Sequence, residues 1–206
     1  MKKTAEKPMD VVFILDRSGS MSGSESDTIG GFNSYLKKNR KNNYLVTTVL
    51  FDDHYEKLYE RMKISEVEEL NNETYYTRGC TALLDAVGKS IKLMEKKAKG
   101  KVVFVITTDG YENASREFKK EQIKEMITGH SDWEFMYIGA DIDSYREASS
   151  IGISASHTAS YRKTKKGINI LYDAVGTACK CCCKEELLDD GWKKKLDSYI
   201  KENENK

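Results

Sequence analysis

Val11-Val12-Phe13-Ile14-Leu15-Asp16-Arg17-Ser18-Gly19-Ser20-Met21-Ser22-Gly23 is the stretch on which the fold turns. Its first five residues are a continuous apolar run, the pattern of a strand buried on both faces. From Asp16 onward the chain is abruptly polar and small, the composition of a loop. Residues 25–41 then place Ile29, Phe32 and Leu36 at helical spacing, giving a helix with one apolar stripe. A buried strand, a polar loop and an amphipathic helix form one unit of an α/β chain.

The unit recurs along the chain. Tyr44 to Phe51 reads as a second strand, and 55–63 as a more polar one. The turn between them is too short for a crossover, so the pair is expected to be an antiparallel hairpin at a sheet edge. Residues 81–98 carry Leu84, Val87, Ile91 and Met94 at helical spacing, with Thr81 as a cap and lysines at the far end. Val102–Ile106 and Trp133–Ile138 read as strands, 115–128 and 144–150 as helices, and 165–183 as a long helix. A short strand is expected near Ser156–Tyr161, and fraying after Gly191. The fold class is therefore α/β: doubly wound, with a mainly parallel sheet, one antiparallel edge strand and helices on both faces. The expected organisation is a single domain over 1–206, with a core of about 9–184 and a C-terminal extension at 185–206.

Composition narrows the function classes. The chain has 206 residues, 34 Lys+Arg against 33 Asp+Glu, and a net charge of +1. Such a balance lacks the broad basic face that nonspecific nucleic-acid binding requires. The only apolar run near the N-terminus is too short for a signal peptide, and no stretch reaches a membrane span. Four of the five cysteines crowd into residues 179–183, unlike a secreted disulfide framework. These features point to a reduced, cytoplasmic protein.

In parallel sheets, ligands gather at the carboxyl ends of the strands. Asp16, Ser18 and Ser20, spaced by two after the first strand, can turn one carboxylate and two hydroxyls toward one point. All are hard oxygen donors, suited to Mg²⁺ or Mn²⁺. Thr107-Thr108-Asp109-Gly110 follows another buried strand, and Thr81 of Gly79-Cys80-Thr81 can add a hydroxyl.

Together these three segments resemble the von Willebrand factor type A domain and its metal-ion-dependent adhesion site, across residues ~9 to 180. The resemblance is to the stand-alone intracellular type of bacteria and phages. Cys80 stands where glycine is frequent in that family. The resemblance implies a cation held directly by Ser18, Ser20 and sometimes Thr81. Asp16 and Asp109 would act mainly through water, with Asp109 direct in one state. A partner's Asp or Glu would take the sixth position. The implied rim for that partner comprises Gly19, Met21, Asp53, Arg78, Cys80, Tyr111 and Glu112.

Other motifs carry less. Gly88-Lys89-Ser90 lacks the first glycine of a phosphate loop, because position 83 is leucine. Asp141-Ile142-Asp143 resembles a phosphatase pair, but Tyr145 stands two residues beyond and no catalytic partner is evident, so it reads as a loop and helix cap. The three histidines lie in separate segments and suggest neither a triad nor a zinc site. Cys179 and Cys182 continue an apolar stripe and read as buried hydrophobes. The expected function is a Mg²⁺-dependent adaptor or docking subunit and not an enzyme, with an ATPase or stress-response complex as the partner class and no membrane partner. An RNA-associated protein and a metal-dependent hydrolase with Asp109 or Asp53 as base are the alternatives.

Overall fold

Eight residues, Met9–Asp16, form the first strand, β1, and every one of them is buried. The computed structural model describes residues 7–184, 186 and 188–203. β1 lies between two parallel neighbours, β2 (Tyr44–Phe51) and β4 (Val102–Thr108), with Asp16 opposite Phe51 and Leu15 opposite Thr107. Its side chains alternate between two cores. Val11, Phe13 and Leu15 enter the layer beneath helices α1 (Glu25–Asn39) and α5 (Lys165–Cys183). Val12 and Ile14 enter the layer beneath α2 (Leu83–Lys97) and α3 (Lys120–Gly129). Helices on both faces explain why the strand is apolar at every position rather than at every second one.

The sheet has six strands in the order β3-β2-β1-β4-β5-β6. β3 (Tyr55–Lys63) is the antiparallel edge expected from the short turn, while β5 (Glu134–Gly139) and β6 (Thr158–Ser160) extend the parallel side. From β1 the chain moves outward to β2 and β3, then returns to the other side of β1 as β4. The direction of winding therefore reverses between β1 and β4. A crevice opens there at the carboxyl ends of the strands, the usual ligand position in such sheets. Asp16 and Asp109 stand on its two sides.

Two packing details fix the surroundings of that crevice. α1 crosses α5 so closely that a methyl group on Gly31 would stand 2.5 Å from the Tyr172 ring and 2.7 Å from Ile168. The connection from β3 to α2 is long, and Ile64, Val67, Leu70 and Tyr75 anchor it in the core. The Asn33 amide bonds both the N–H and the C=O of Leu70 at 2.8 Å. This anchored connection delivers Gly79-Cys80-Thr81 to the crevice.

The structure differs from the sequence expectations at three places. α2 begins at Leu83, and Thr81 does not cap it. The first-turn N–H groups of Leu84 and Asp85 instead donate to Glu112 Oε2 (2.9 Å) and Ser115 Oγ (3.0 Å). α3 begins at Lys120 rather than Ser115, because Asp85 draws the N–H groups of Arg116, Glu117 and Phe118 into a loop at 2.9–3.0 Å. The chain after Gly191 forms a packed helix, α6 (Lys194–Asn203), rather than fraying; 204–206 lie outside the described residues. Trp192 and Leu196 enter the α1/α5 core, and the Trp192 indole donates to Ser156 O at 2.9 Å. The buried Lys193 ammonium donates to Ala155 O (2.6 Å) and Thr158 O (2.8 Å). The short helix α4 (Ser144–Ser150) opens on Asp143, whose carboxylate accepts the Arg146 N–H.

Candidate metal centre

Asp16 ends β1 with its side chain 1% exposed. One carboxylate oxygen accepts the Ser18 N–H at 2.7 Å, and the other accepts the Thr108 hydroxyl at 2.6 Å. Burial pushes its carboxyl up to about 6, against the opposing pull of these two donors. Beyond it, the Ser18 and Ser20 hydroxyl oxygens lie 3.0 Å apart, and the Ser20 hydroxyl donates to Asp109 Oδ1. The β1 and β4 loops thus meet through one continuous run of oxygens.

Thr81 reaches the same place from the third loop. Its N–H donates to Asn113 Oδ1 (2.9 Å), and its carbonyl accepts the Asn113 N–H (3.0 Å). Gly79 accepts the Gly19 N–H at 3.1 Å, and the Tyr75 hydroxyl donates to Asp16 O at 2.6 Å, so two further bonds tie this loop to the first. Gly79 has φ +65, and a methyl there would strike Asp53 Oδ1. A methyl on Gly110 would stand 2.8 Å from Thr81 Oγ1 and 3.2 Å from Ser20 Oγ. Glycine at 110 keeps open the space that these two hydroxyls flank. The donors drawn together, from Asp16, Ser18, Ser20, Thr81 and Asp109, are all oxygens. That chemistry fits a hard, octahedral cation.

The expected rim divides in two. Gly19, Asp53, Arg78, Cys80 and Tyr111 are exposed. Met21 is buried, its sulfur facing the Tyr161 hydroxyl, and Glu112 is committed to the N–H groups of Leu84, Ala114 and Ser115. Met21 is thereby corrected from rim to scaffold, and the partly exposed Glu112 has a scaffold role as well. Arg78 also has a supporting task, since its Nε lies 2.7 Å from Asp52 Oδ2. The wholly buried Arg17 approaches the same oxygen at 2.9 Å and pairs with Glu56 at 2.7 Å. Burial alone would raise the Asp52 carboxyl, but the bonds from Arg78, the His54 N–H and Arg17 outweigh it and hold the group low. Asp52, Asp53 and His54 bring ligand atoms within 4.8 Å of one another. Two arginines already neutralise Asp52 and tie this turn to its surroundings.

Sequence reasoning missed one member of the site. Lys163, between β6 and α5, places its ammonium 2.9 Å from Asp109 Oδ2 and 2.8 Å from Asp141 Oδ2. Burial works to lower its pKa, and the two carboxylates outweigh that and raise it. Nothing in the sequence marked this lysine, because its approach depends on how β6 delivers the adjoining loop. Asp141 read as a plain loop residue. Thr108 was part of the Thr-Asp-Gly motif, whereas Tyr75, which also fixes Asp16 in place, carried no signal.

With this geometry in place, comparison with known proteins is informative. The profile of the family described as "VWA domain containing CoxE-like protein" matches residues 1–130. The chain belongs to this von Willebrand factor type A (VWA) family. A search of curated proteins finds no match to this VWA chain. Solved structures share its fold at low identity. Proximal thread matrix protein 1 from the mussel byssus, with a zinc-occupied MIDAS motif, aligns at TM-score 0.60 and 16% identity, covering 86% of this chain and 46% of that one. The vWF domain of the type V pili tip protein Mfa5 from Porphyromonas gingivalis aligns at TM-score 0.62 and 10% identity, covering 85% and 96%. The von Willebrand factor type A protein from Catenulispora acidiphila aligns at TM-score 0.59 and 12% identity, covering 85% and 43%. The present VWA chain thus spans about half the length of the mussel protein. No helix among its described residues is long and apolar enough to cross a membrane.

Proposed function

We propose that this VWA domain is a Mg²⁺-dependent protein–protein interaction module that binds a carboxylate of its partner. The observation that carries the reading is the convergence of Asp16, Ser18, Ser20, Thr81 and Asp109 on one crevice, with only oxygens offered. Ser18, Ser20 and Thr81 would hold the ion through hydroxyls, and Asp16 and Asp109 would supply the negative charge. The bound ion contributes an electrophilic position for an incoming Asp or Glu. Mg²⁺, or Mn²⁺ in its place, is favoured over zinc because no sulfur or imidazole takes part in the converging set.

The protein's own groups favour docking over catalysis. Asp109, the nearest candidate base, is already bonded to Ser20 and Lys163. Asp53 packs against Gly79 and pairs with His54. The buried thiols of Cys179 and Cys182 agree with a reducing, cytoplasmic setting, and the exposed Asp53, Arg78, Cys80 and Tyr111 would frame the partner. An adaptor within an ATPase or stress-response complex fits these properties. The test is capture of partners from host lysate by the tagged protein in Mg²⁺ and in EDTA, beside Ser18→Ala. A protein recovered only by wild type in Mg²⁺ is expected. Recovery that ignores both metal and substitution would refute the reading.

A further inference from the structure

Lys163 is the one side chain that places a positive charge directly on the oxygens of the centre among the described contacts. Its ammonium lies 2.9 Å from Asp109 Oδ2, 2.8 Å from Asp141 Oδ2 and 3.4 Å from Ser20 O. Asp109 is the carboxylate that a cation in the crevice would need, and its side chain is fully buried. Asp141 is more than half exposed, and its backbone holds φ 54, a conformation that aspartate tolerates in a tight turn. The lysine therefore has one foot inside the crevice and one outside it.

We infer that Lys163 is a tethered cation that competes with the metal for Asp109, with Asp141 as the post to which it withdraws. This inference rests on the metal-binding reading above and adds the residue that sets the affinity. A dication and an ammonium cannot share Asp109 closely without repelling each other. Metal entry therefore breaks the Lys163–Asp109 contact. The Lys163–Asp141 contact survives, so the lysine moves a short way rather than into solvent. Because Lys163 sits two residues before α5, the position of that loop becomes dependent on metal occupancy.

The scheme makes opposite demands on the two partners of the lysine. Lys163→Met removes the competitor, so Mg²⁺ should bind about tenfold tighter, the loss expected for one charge-assisted hydrogen bond. Asp141→Asn removes the outer post and leaves the lysine to Asp109 alone, so Mg²⁺ should bind severalfold more weakly. In the Lys163→Met background, Asp141→Asn should have almost no effect. Both positions are at least a quarter exposed, so the variants are expected to fold.

The experiment is calorimetric titration of MgCl₂ into the wild-type chain, both single variants and the double variant, with circular dichroism to check folding. Tighter binding by Lys163→Met, together with an Asp141→Asn effect that vanishes in the double variant, supports the inference. Binding by Lys163→Met alone, with none by wild type, supports it too. Equal Asp141→Asn effects in both backgrounds would show a simple through-space field and overturn it. So would an unchanged affinity in Lys163→Met. If no variant and no wild type binds Mg²⁺, the metal-binding reading itself falls; binding that ignores Lys163 removes only the inference.

Discussion

At Asp16 the fold buries a carboxyl and holds it in a single orientation. Burial raises it to about 6 from the ordinary 3.8, so without a cation the folded protein holds this proton more tightly than the unfolded chain does. The stabilising contribution of that proton is full below pH 3.8 and is lost as pH rises through about 6. An uncharged amide removes the penalty at neutral pH. It also keeps the geometry, because Asn can still accept the Ser18 N–H. The Thr108 hydroxyl can turn to Gly110 O, 3.1 Å away. Asp16→Asn in EDTA at pH 7.5 is therefore expected to unfold at higher urea than wild type, by about 1–2 kcal/mol. The gap should narrow as pH falls below about 6 and close near 3.8. A variant less stable than wild type at neutral pH would mean that the Asp16 bonds outweigh its burial. The residue types at 16, 18, 20, 81 and 109 were legible in the sequence because 16, 18, 20 and 109 stand at or just after a strand end and Thr81 stands just ahead of a helix. Lys163 was not, since a lysine in a lysine-rich loop carries no distinguishing pattern.

At the scale of elements, apolar periodicity revealed the strands and long helices, and polar bonding set their ends. The long helix at 165–183 and the edge hairpin at 44–63 lie where the pattern placed them. The starts of α2 and α3 do not, because Glu112 and Asp85 exchange backbone partners across the two loops. Such side-chain capping between segments leaves no local trace, and Thr81 is thereby released to face the crevice. The tail was misread for a similar reason. Its charged composition hides Trp192 and Leu196, which find a core that only the folded sheet provides. The α1–α5 contact carries its own test. A methyl on Gly31 would press on the Tyr172 ring and on Ile168, both buried. Gly31→Ala gains helix propensity yet overpacks the core, and overpacking typically costs about 1–3 kcal/mol. A lower urea midpoint is expected. An unchanged or higher midpoint would show that α5 can shift outward without loss.

Across the whole molecule, one topological fact organises the rest. The chain winds outward from β1 in one direction and then in the other, and the reversal opens the sheet's carboxyl end between β1 and β4. Three loops with little sequence in common meet there, tied by Gly19–Gly79, Tyr75–Asp16, Thr108–Asp16 and Thr81–Asn113 bonds. Buried Arg17 and exposed Arg78 both pair with Asp52 and brace the loop after β2 beside them. The result is an oxygen-lined crevice framed by exposed loops, the arrangement that the proposed docking of a partner carboxylate requires. The most direct test is a crystal grown or soaked in MnCl₂, examined for anomalous scattering. A peak is expected between the Ser18 and Ser20 hydroxyls and Asp109, with metal–oxygen distances of about 2.1 Å. No peak there, or a peak only at the Asp52-Asp53-His54 turn, would contradict it.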